Sequence, residues 1–390
     1  MPFGLLALAV AAFAIGTTEF VMVGLIPEMA RDLSVSIPVA GLLVSLYALA
    51  ITLGSPTVTA LTGKLPRREL AIGLMAIFTL GNLLSALAPD YALLLTGRII
   101  AAVAHGAFFG IGAAVATSLV DKSRSGQAVS IMMAGLTLAM VIGVPFGSFV
   151  GQHLGWRAPF FAVVLLGVIS VAGLIVALPK AIEHTPPAGL LSQFALLGKP
   201  RLLAMYLVTV FGYGGSFVVF TYLSPLLTGV TGVGENAVNL ALMLFGVASL
   251  LGSLLGGRLS DTFGLRTTLR ATLMALSVAL VLLPLAATNT VSMFILLFIW
   301  GVLLFVISPT VQAGVVTVAK QEVPDAVGTA SGFNIAAFNL GVSAASFVGS
   351  ILVAGPGILT TPWAALASTL VGLVIVQWWL GRVPSSQVAL

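Results

Sequence analysis

Twelve stretches of about twenty or more residues carry almost no charge, and they limit what this chain can become. They run at approximately 4–27, 38–61, 70–88, 91–118, 127–151, 157–178, 202–226, 237–258, 268–287, 291–318, 327–352 and 363–381. A helix rising 1.5 Å per residue needs about twenty apolar residues to cross a hydrocarbon core of ~30 Å. Several stretches are longer, which implies tilt or extension beyond the hydrocarbon. The expected fold is therefore all-α, with twelve transmembrane helices. Composition agrees: 59% of the residues are hydrophobic and 7% are charged, where a soluble domain carries about 25% charged residues. Nineteen prolines and forty-three glycines suit a membrane bundle, in which kinks and close helix contacts are common. Residues 1–27 read as a full span, not as a cleavable leader with a short apolar core.

The basic residues orient such a bundle. An even number of spans puts both termini on one side, and Lys and Arg collect in short cytoplasmic loops. With the N-terminus inside, the cytoplasmic segments hold thirteen: Lys64, Arg67, Arg68, Lys122, Arg124, Lys180, Lys199, Arg201, Arg258, Arg266, Arg270, Lys320 and Arg382. The outer segments hold only Arg31 and Arg157. Both termini are expected in the cytoplasm. The net charge of +5 belongs to these loops and gives no reason to expect a nucleic-acid partner.

The longest connection, PKAIEHTPPAGLLSQFALLGKPR at 179–201, is polar and proline-bearing. It divides the chain into six spans in 1–178 and six in 202–390, with 179–201 as a cytoplasmic linker. An internal repeat supports the division. The loop after the eighth stretch, GRLSDTFGLR (Gly257 to Arg266), and that after the second, TALTGKLPRR (Thr59 to Arg68), share an apolar third position (Leu259, Leu61) and a basic last one (Arg266, Arg68).

Arg98 is the hardest residue to place. A guanidinium at the bilayer centre costs roughly 3 to more than 10 kcal/mol, so it must face a protein interior or a wet cavity and have a partner. Glu19, in AIGTTEFVMVGL, is the other charge placed well inside a span, away from its ends. It lies about eight residues before Pro27, ~12 Å from the outer end of its helix, and Arg98 lies ~10 Å beyond Tyr91. Two opposite charges at similar depth suggest a proton carrier, Glu19, tuned by Arg98. The competing reading is a fixed ion pair tying the first and fourth helices. His105, seven residues after Arg98, shares its face. It either bonds a substrate or takes a proton, or it bonds a neighbouring helix.

The pattern Gly257-x-Leu259-Ser260-Asp261-x-x-Gly264-x-Arg266 resembles the signature loop of the major facilitator superfamily. Arg98, after LLLTG, resembles the superfamily's fourth-helix arginine motif. Gly143-Val144-Pro145-Phe146-Gly147 resembles the Gly-Pro motif of proton-coupled exporters. TTEFVMVGLIPEMARDL, AHGAFFG and FNIAAFNLG are similar to the twelve-span drug:proton antiporter family, in its bacterial branch of sugar-efflux, arabinose-efflux-like and chloramphenicol-resistance permeases. The resemblance implies two pseudo-symmetric six-helix bundles around a central cavity, and a monomer in the bacterial inner membrane. It also implies gating by Gly257, Asp261, Gly264 and Arg266, with Gly143 and Pro145 either gating or forming a structural kink. The first copy of the loop departs from the pattern. Gly63 stands where Asp261 stands, and Pro66 replaces the glycine, so an acidic gate contact is implied only for the second copy.

Tyr213, Phe217 and Phe220 fall at i, i+4 and i+7 of the seventh stretch. They form either an aromatic wall for an apolar or cyclic ligand or plain helix packing. Gln312 in the tenth stretch, with Asn334 and Asn339 in the eleventh, are candidate substrate contacts. Buried amides also glue helices together. No P-loop pattern is present, the chain has no cysteine, and three scattered histidines make no metal site. An enzyme is not expected, nor a cofactor. The expected function is proton-coupled export of a small amphipathic compound (a drug, sugar or related metabolite). The alternatives are an uncoupled facilitator or proton symporter for a sugar or nucleoside, and a membrane sensor or assembly protein without transport.

Overall fold

The computed structural model describes residues 3–62, 65–121, 124–180, 182 and 194–378, without the side chains of residues 59, 60 and 325. Gly63, Lys64, Lys122, Arg382 and most of the expected 179–201 linker lie outside the described residues. Among the described residues every regular element is helical. Twelve helices among the described residues are long and apolar enough to cross a membrane: Phe3–Phe20, Ile37–Val58, Arg67–Leu87, Tyr91–Ser118, Ser125–Leu154, Ala158–Ala177, Pro200–Phe220, Glu235–Phe263, Leu265–Ala286, Thr290–Glu322, Val327–Ala354 and Ile358–Trp378. We refer to these as spans one to twelve.

The chain divides into two compact units, Met1–Ser36 with Leu46–Leu190, and Ile37–Ser45 with Leu191–Leu390. In the first unit, span one packs on spans five and six, and span three on spans four and six. In the second unit, span seven packs on spans eleven and twelve, and span nine on spans ten and twelve. The same neighbours thus recur six spans later. The shared arginines of the repeated loops have matching tasks. Arg68 Nη2 and Nε donate to the carbonyls of Ile175 (2.6 Å) and Leu178 (3.1 Å), at the end of span six. Arg266 Nη2 donates to the carbonyl of Gln377 (3.1 Å), near the last described residue of span twelve. Arg68 meets carbonyls that the C-terminus of span six leaves without partners, and Arg266 takes up the corresponding contact on span twelve.

Span five lies against span one through a stripe of small residues four apart. A methyl group at Gly147 would stand 2.7 Å from Val21 Cγ2, and methyls at Gly135, Gly143 and Gly151 would collide with Ala9, Thr17 and Leu25. With no water to squeeze out between helices in lipid, close backbone approach of this kind supplies the packing energy. The Gly143–Pro145 segment has a local shape of its own. Ala139–Gly143 forms a π turn, and the α-helix restarts as Val144–Leu154 with Pro145 in its first turn. There the missing N–H of proline costs nothing.

Span one departs from the expected course. Its helix is interrupted at Val21 and resumes as Met22–Asp32, with Pro27 inside the second piece. Pro27 therefore does not end the helix. Its lost N–H and ring clash are accommodated one to two turns upstream.

The end of that second piece is clasped. Asp32 Oδ2 accepts from Trp156 Nε1 (2.9 Å) and Arg157 Nη1 (2.7 Å), while Arg157 also donates to the carbonyl of Ala88 (2.7 Å) and lies over the Trp156 ring. The hydrogen bonds from Trp156 and Arg157 hold the Asp32 carboxyl below its ordinary value of 3.8. The stabilisation is therefore present above that value and lost as pH falls through the lower folded value. The pair is partly exposed, at 35% and 49%, so Asp32→Asn should cost only about 0.2–1 kcal/mol at neutral pH. Thermal unfolding of parent and variant should differ at neutral pH and converge in acid. A difference that persisted or grew in acid would show that the clasp is not ionic.

Candidate functional site

The first unit buries a polar cluster in its apolar interior. Arg98 on span four is fully buried, Tyr47 on span two and His105 on span four nearly so, and Glu19 on span one is 9% exposed. Arg98 Nη1 donates to the carbonyl of Thr18 at 2.7 Å. That carbonyl lies within a turn of the interruption at Val21, where the regular ladder of span one stops. The Thr18 hydroxyl is itself bonded to Asn82 Oδ1 on span three, and Asn82 Nδ2 donates to the carbonyl of Phe78 at 2.9 Å.

The rest of the guanidinium is held by a ring. Arg98 Cζ stands 3.8 Å from the centroid of Tyr47, a desolvated cation–π contact. The Tyr47 hydroxyl is 3.1 Å from His105 Nδ1, and His105 packs against Phe109 with centroids 5.3 Å apart. Arg98 Nε and Nη2 have no hydrogen-bond partner among the described residues. Glu19 acts on Arg98 through space, but no direct ion pair joins them among the described residues. The competing reading, a fixed Glu19–Arg98 ion pair, is not the arrangement found among the described residues. The cation is anchored by a carbonyl and an aromatic face, which leaves the carboxylate uncommitted. The sequence carries little signal for Tyr47, Thr18 and Asn82: Tyr47 is the lone aromatic residue in span two, and Asn82 the lone amide in span three.

In the second unit, span seven is not one regular helix. Thr209–Tyr213 is a π turn, Gly214–Ser216 a 3-10 turn, and Phe217–Phe220 a single α turn. Close contact with span eleven accompanies this. A methyl at Gly214 would lie 2.5 Å from Gly341 Cα. Tyr213, Phe217 and Phe220 are 3%, 2% and 1% exposed and sit in one aromatic cluster. Tyr213 meets Phe338 at 4.9 Å, Phe220 stacks on Phe245 at 4.5 Å, and Phe245 meets Trp300 at 5.2 Å. Their rings face one another, as a packed core does.

Two of the three candidate amides come together. Thr209 Oγ1 donates to Asn334 Oδ1 (2.6 Å), and Asn334 Nδ2 donates to Gln312 Oε1 (2.7 Å). Gln312 is half-buried. Asn339 instead donates to its own helix at Ile335 (3.0 Å), and its Oδ1 is buried without a partner among the described residues. A cavity of about 310 Å³ between spans seven, eleven and twelve includes none of the candidates. Its one polar side chain, Ser368, already donates to the carbonyl of Phe211 at 2.9 Å.

The loop candidates separate by role. Gly264 has φ +80° and closes span eight, a left-handed position that favours glycine. Asp261 is exposed and, within its unit, makes no hydrogen bond or ion pair among the described residues. Gly257 faces open space.

Comparisons with known proteins agree with this architecture. A family model described as Major Facilitator Superfamily matches residues 8–331 and again 205–389. The inner membrane transport protein YdhP of Escherichia coli is 41% identical over 373 residues, covering 95% of this chain and 94% of its own. A chloramphenicol resistance protein of Streptomyces lividans is 33% identical over 379 residues, covering 96% and 95%. Among solved structures, a bacterial homologue of the human lysosomal transporter Spinster, in an inward-facing and unoccupied conformation, superposes with a TM-score of 0.71 at 16% identity, covering 96% and 94%.

Proposed function

The chain belongs to the major facilitator superfamily of membrane transporters, and from there we propose that it exports a small amphipathic compound in exchange for protons. It is a multi-pass transporter and not an enzyme. We place it in a bacterial inner membrane with both termini in the cytoplasm, on the distribution of Lys and Arg among its loops and on the likeness to the E. coli inner membrane transport protein. Export is favoured over uptake by the likeness to the S. lividans chloramphenicol resistance protein.

The observation that carries proton coupling is the Glu19–Arg98 arrangement. A carboxylate and a guanidinium lie buried in one apolar interior, and the guanidinium is held by the Thr18 carbonyl and the Tyr47 ring instead of by the carboxylate. A fixed structural ion pair would saturate both charges. Here Glu19 is free to take a proton and give it up as the protein changes its access from one side to the other, and Arg98 supplies the charge that makes the two protonation states differ. Gln312 and Asn334 are the substrate contacts best supported by geometry, since a hydrogen-bonded pair of amides offers oriented polar groups at a half-buried position. The signature loop with Gly257, Asp261, Gly264 and Arg266 serves gating.

The test is flux from proteoliposomes preloaded with chloramphenicol, a nucleoside or a sugar. Efflux of the substrate should accelerate when the outside is made acidic and should need no ATP. Flux that ignores the pH gradient would favour an uncoupled facilitator, and binding without flux would favour a sensor.

A further inference from the structure

We propose that Tyr47 and His105 are positioning residues for Arg98, with His105 a neutral hydrogen-bond acceptor instead of a proton carrier. The inference rests on the transport reading of the Arg98 site. Its structural half can be tested without transport.

The argument starts from the aromatic face. Arg98 Cζ is 3.8 Å from the Tyr47 centroid, so the ring orientation sets where the guanidinium plane can lie. One hydrogen bond holds one edge of that plane, Nη1 to the Thr18 carbonyl. Nε and Nη2 have no partner among the described residues. The Tyr47 ring therefore carries much of the positioning that a carboxylate fork would otherwise supply. What fixes the ring is the contact of its hydroxyl with His105 Nδ1 at 3.1 Å, in a site where Tyr47 is 2% and His105 5% exposed.

The direction of that hydrogen bond follows from the surroundings. A phenol donates readily to an unprotonated ring nitrogen, which leaves the proton of neutral His105 on Nε2. A charged His105 would set a second cation near Arg98 in a buried site, where like charges repel strongly. Arg98 is the charge that acts on His105. His105 in turn lies two helical turns from Arg98 on the same helix face, so span four carries both the guanidinium and the group that aims its platform.

The experiment uses full-length protein labelled with [15N]histidine and [15N]arginine, with chloramphenicol as the flux probe in proteoliposomes. The His105 signal, assigned by its loss in His105→Asn, should show an unprotonated Nδ1 and a protonated Nε2 throughout about pH 5–8. The Arg98 signal should carry the ring-current shift of Tyr47 and lose it in His105→Leu. Asn puts its Oδ1 where Nδ1 stands but cannot carry a proton. His105→Asn should therefore retain at least about half of the gradient-driven efflux, whereas His105→Leu and Tyr47→Phe should each lose about tenfold or more, as misplaced groups do. The double variant Tyr47→Phe/His105→Leu should be no worse than either alone. A His105 that titrates in this range, or a His105→Asn protein that transports but ignores the gradient, would overturn the proposal. If the parent itself shows no gradient-driven efflux of chloramphenicol, export of that compound fails, and the two labelled signals still decide the positioning role.

Discussion

Glu19→Gln should abolish gradient-driven accumulation while leaving the protein folded. For a neutral substrate exchanged against one proton, each pH unit is worth about 1.4 kcal/mol, a tenfold concentration ratio at equilibrium. A gradient of two units should therefore let the parent hold a substrate ratio of roughly 100, and Glu19→Gln should reduce it to about 1. Glutamine keeps the shape and polarity of the side chain but cannot cycle a proton. Glu19 makes no hydrogen bond or direct ion pair among the described residues, so the substitution breaks little. Exchange of labelled for unlabelled substrate, which needs no net proton movement, should continue. A Glu19→Gln protein that still concentrates substrate against a gradient would place the proton site elsewhere. Loss of both exchange and the folded state would favour a structural charge.

Trp300→Ala should be among the most destabilising single changes in the second unit, at about 3–5 kcal/mol. Trp300 is fully buried and packs on Phe245 and Phe220, with ring centroids 5.2 and 6.4 Å away. Its Nε1 reaches Ser216 Oγ only at 3.5 Å, so most of the cost comes from the cavity and not from a lost hydrogen bond. At about 2–4 °C per kcal/mol for a unit of this size, thermal unfolding should shift by roughly 10 °C. Phe220→Ala should follow the same pattern, because its ring stacks on Phe245 at 4.5 Å. If instead either variant keeps its unfolding temperature and loses substrate affinity, these rings form a ligand wall and not a core.

The class of the molecule could be read from its residues because a bilayer imposes a length and a polarity that few other environments demand. Twelve stretches with almost no charge can hardly be anything but spans, and the loop arginines mark the repeat. The shared last residue of the two signature loops, Arg68 and Arg266, takes up equivalent carbonyl contacts in the two units. Gly264 likewise fits its left-handed position at the end of span eight. What depended on helix rotation was not legible. A span apolar on every side has no amphipathic stripe to show which face meets which neighbour, so equal depth left a fixed Glu19–Arg98 ion pair open beside a proton carrier tuned by Arg98. Tertiary packing put Tyr47 under the guanidinium instead. The i, i+4, i+7 spacing of Tyr213, Phe217 and Phe220 presupposed a regular helix, whereas close approach to span eleven accompanies π and 3-10 turns in span seven. The Val21 interruption and the π turn before Pro145 are of the same kind. Pro27 and Pro145 announced that the hydrogen-bond ladder must fail somewhere, and the neighbouring helix, pressed close by the glycine stripe of span five, decided where.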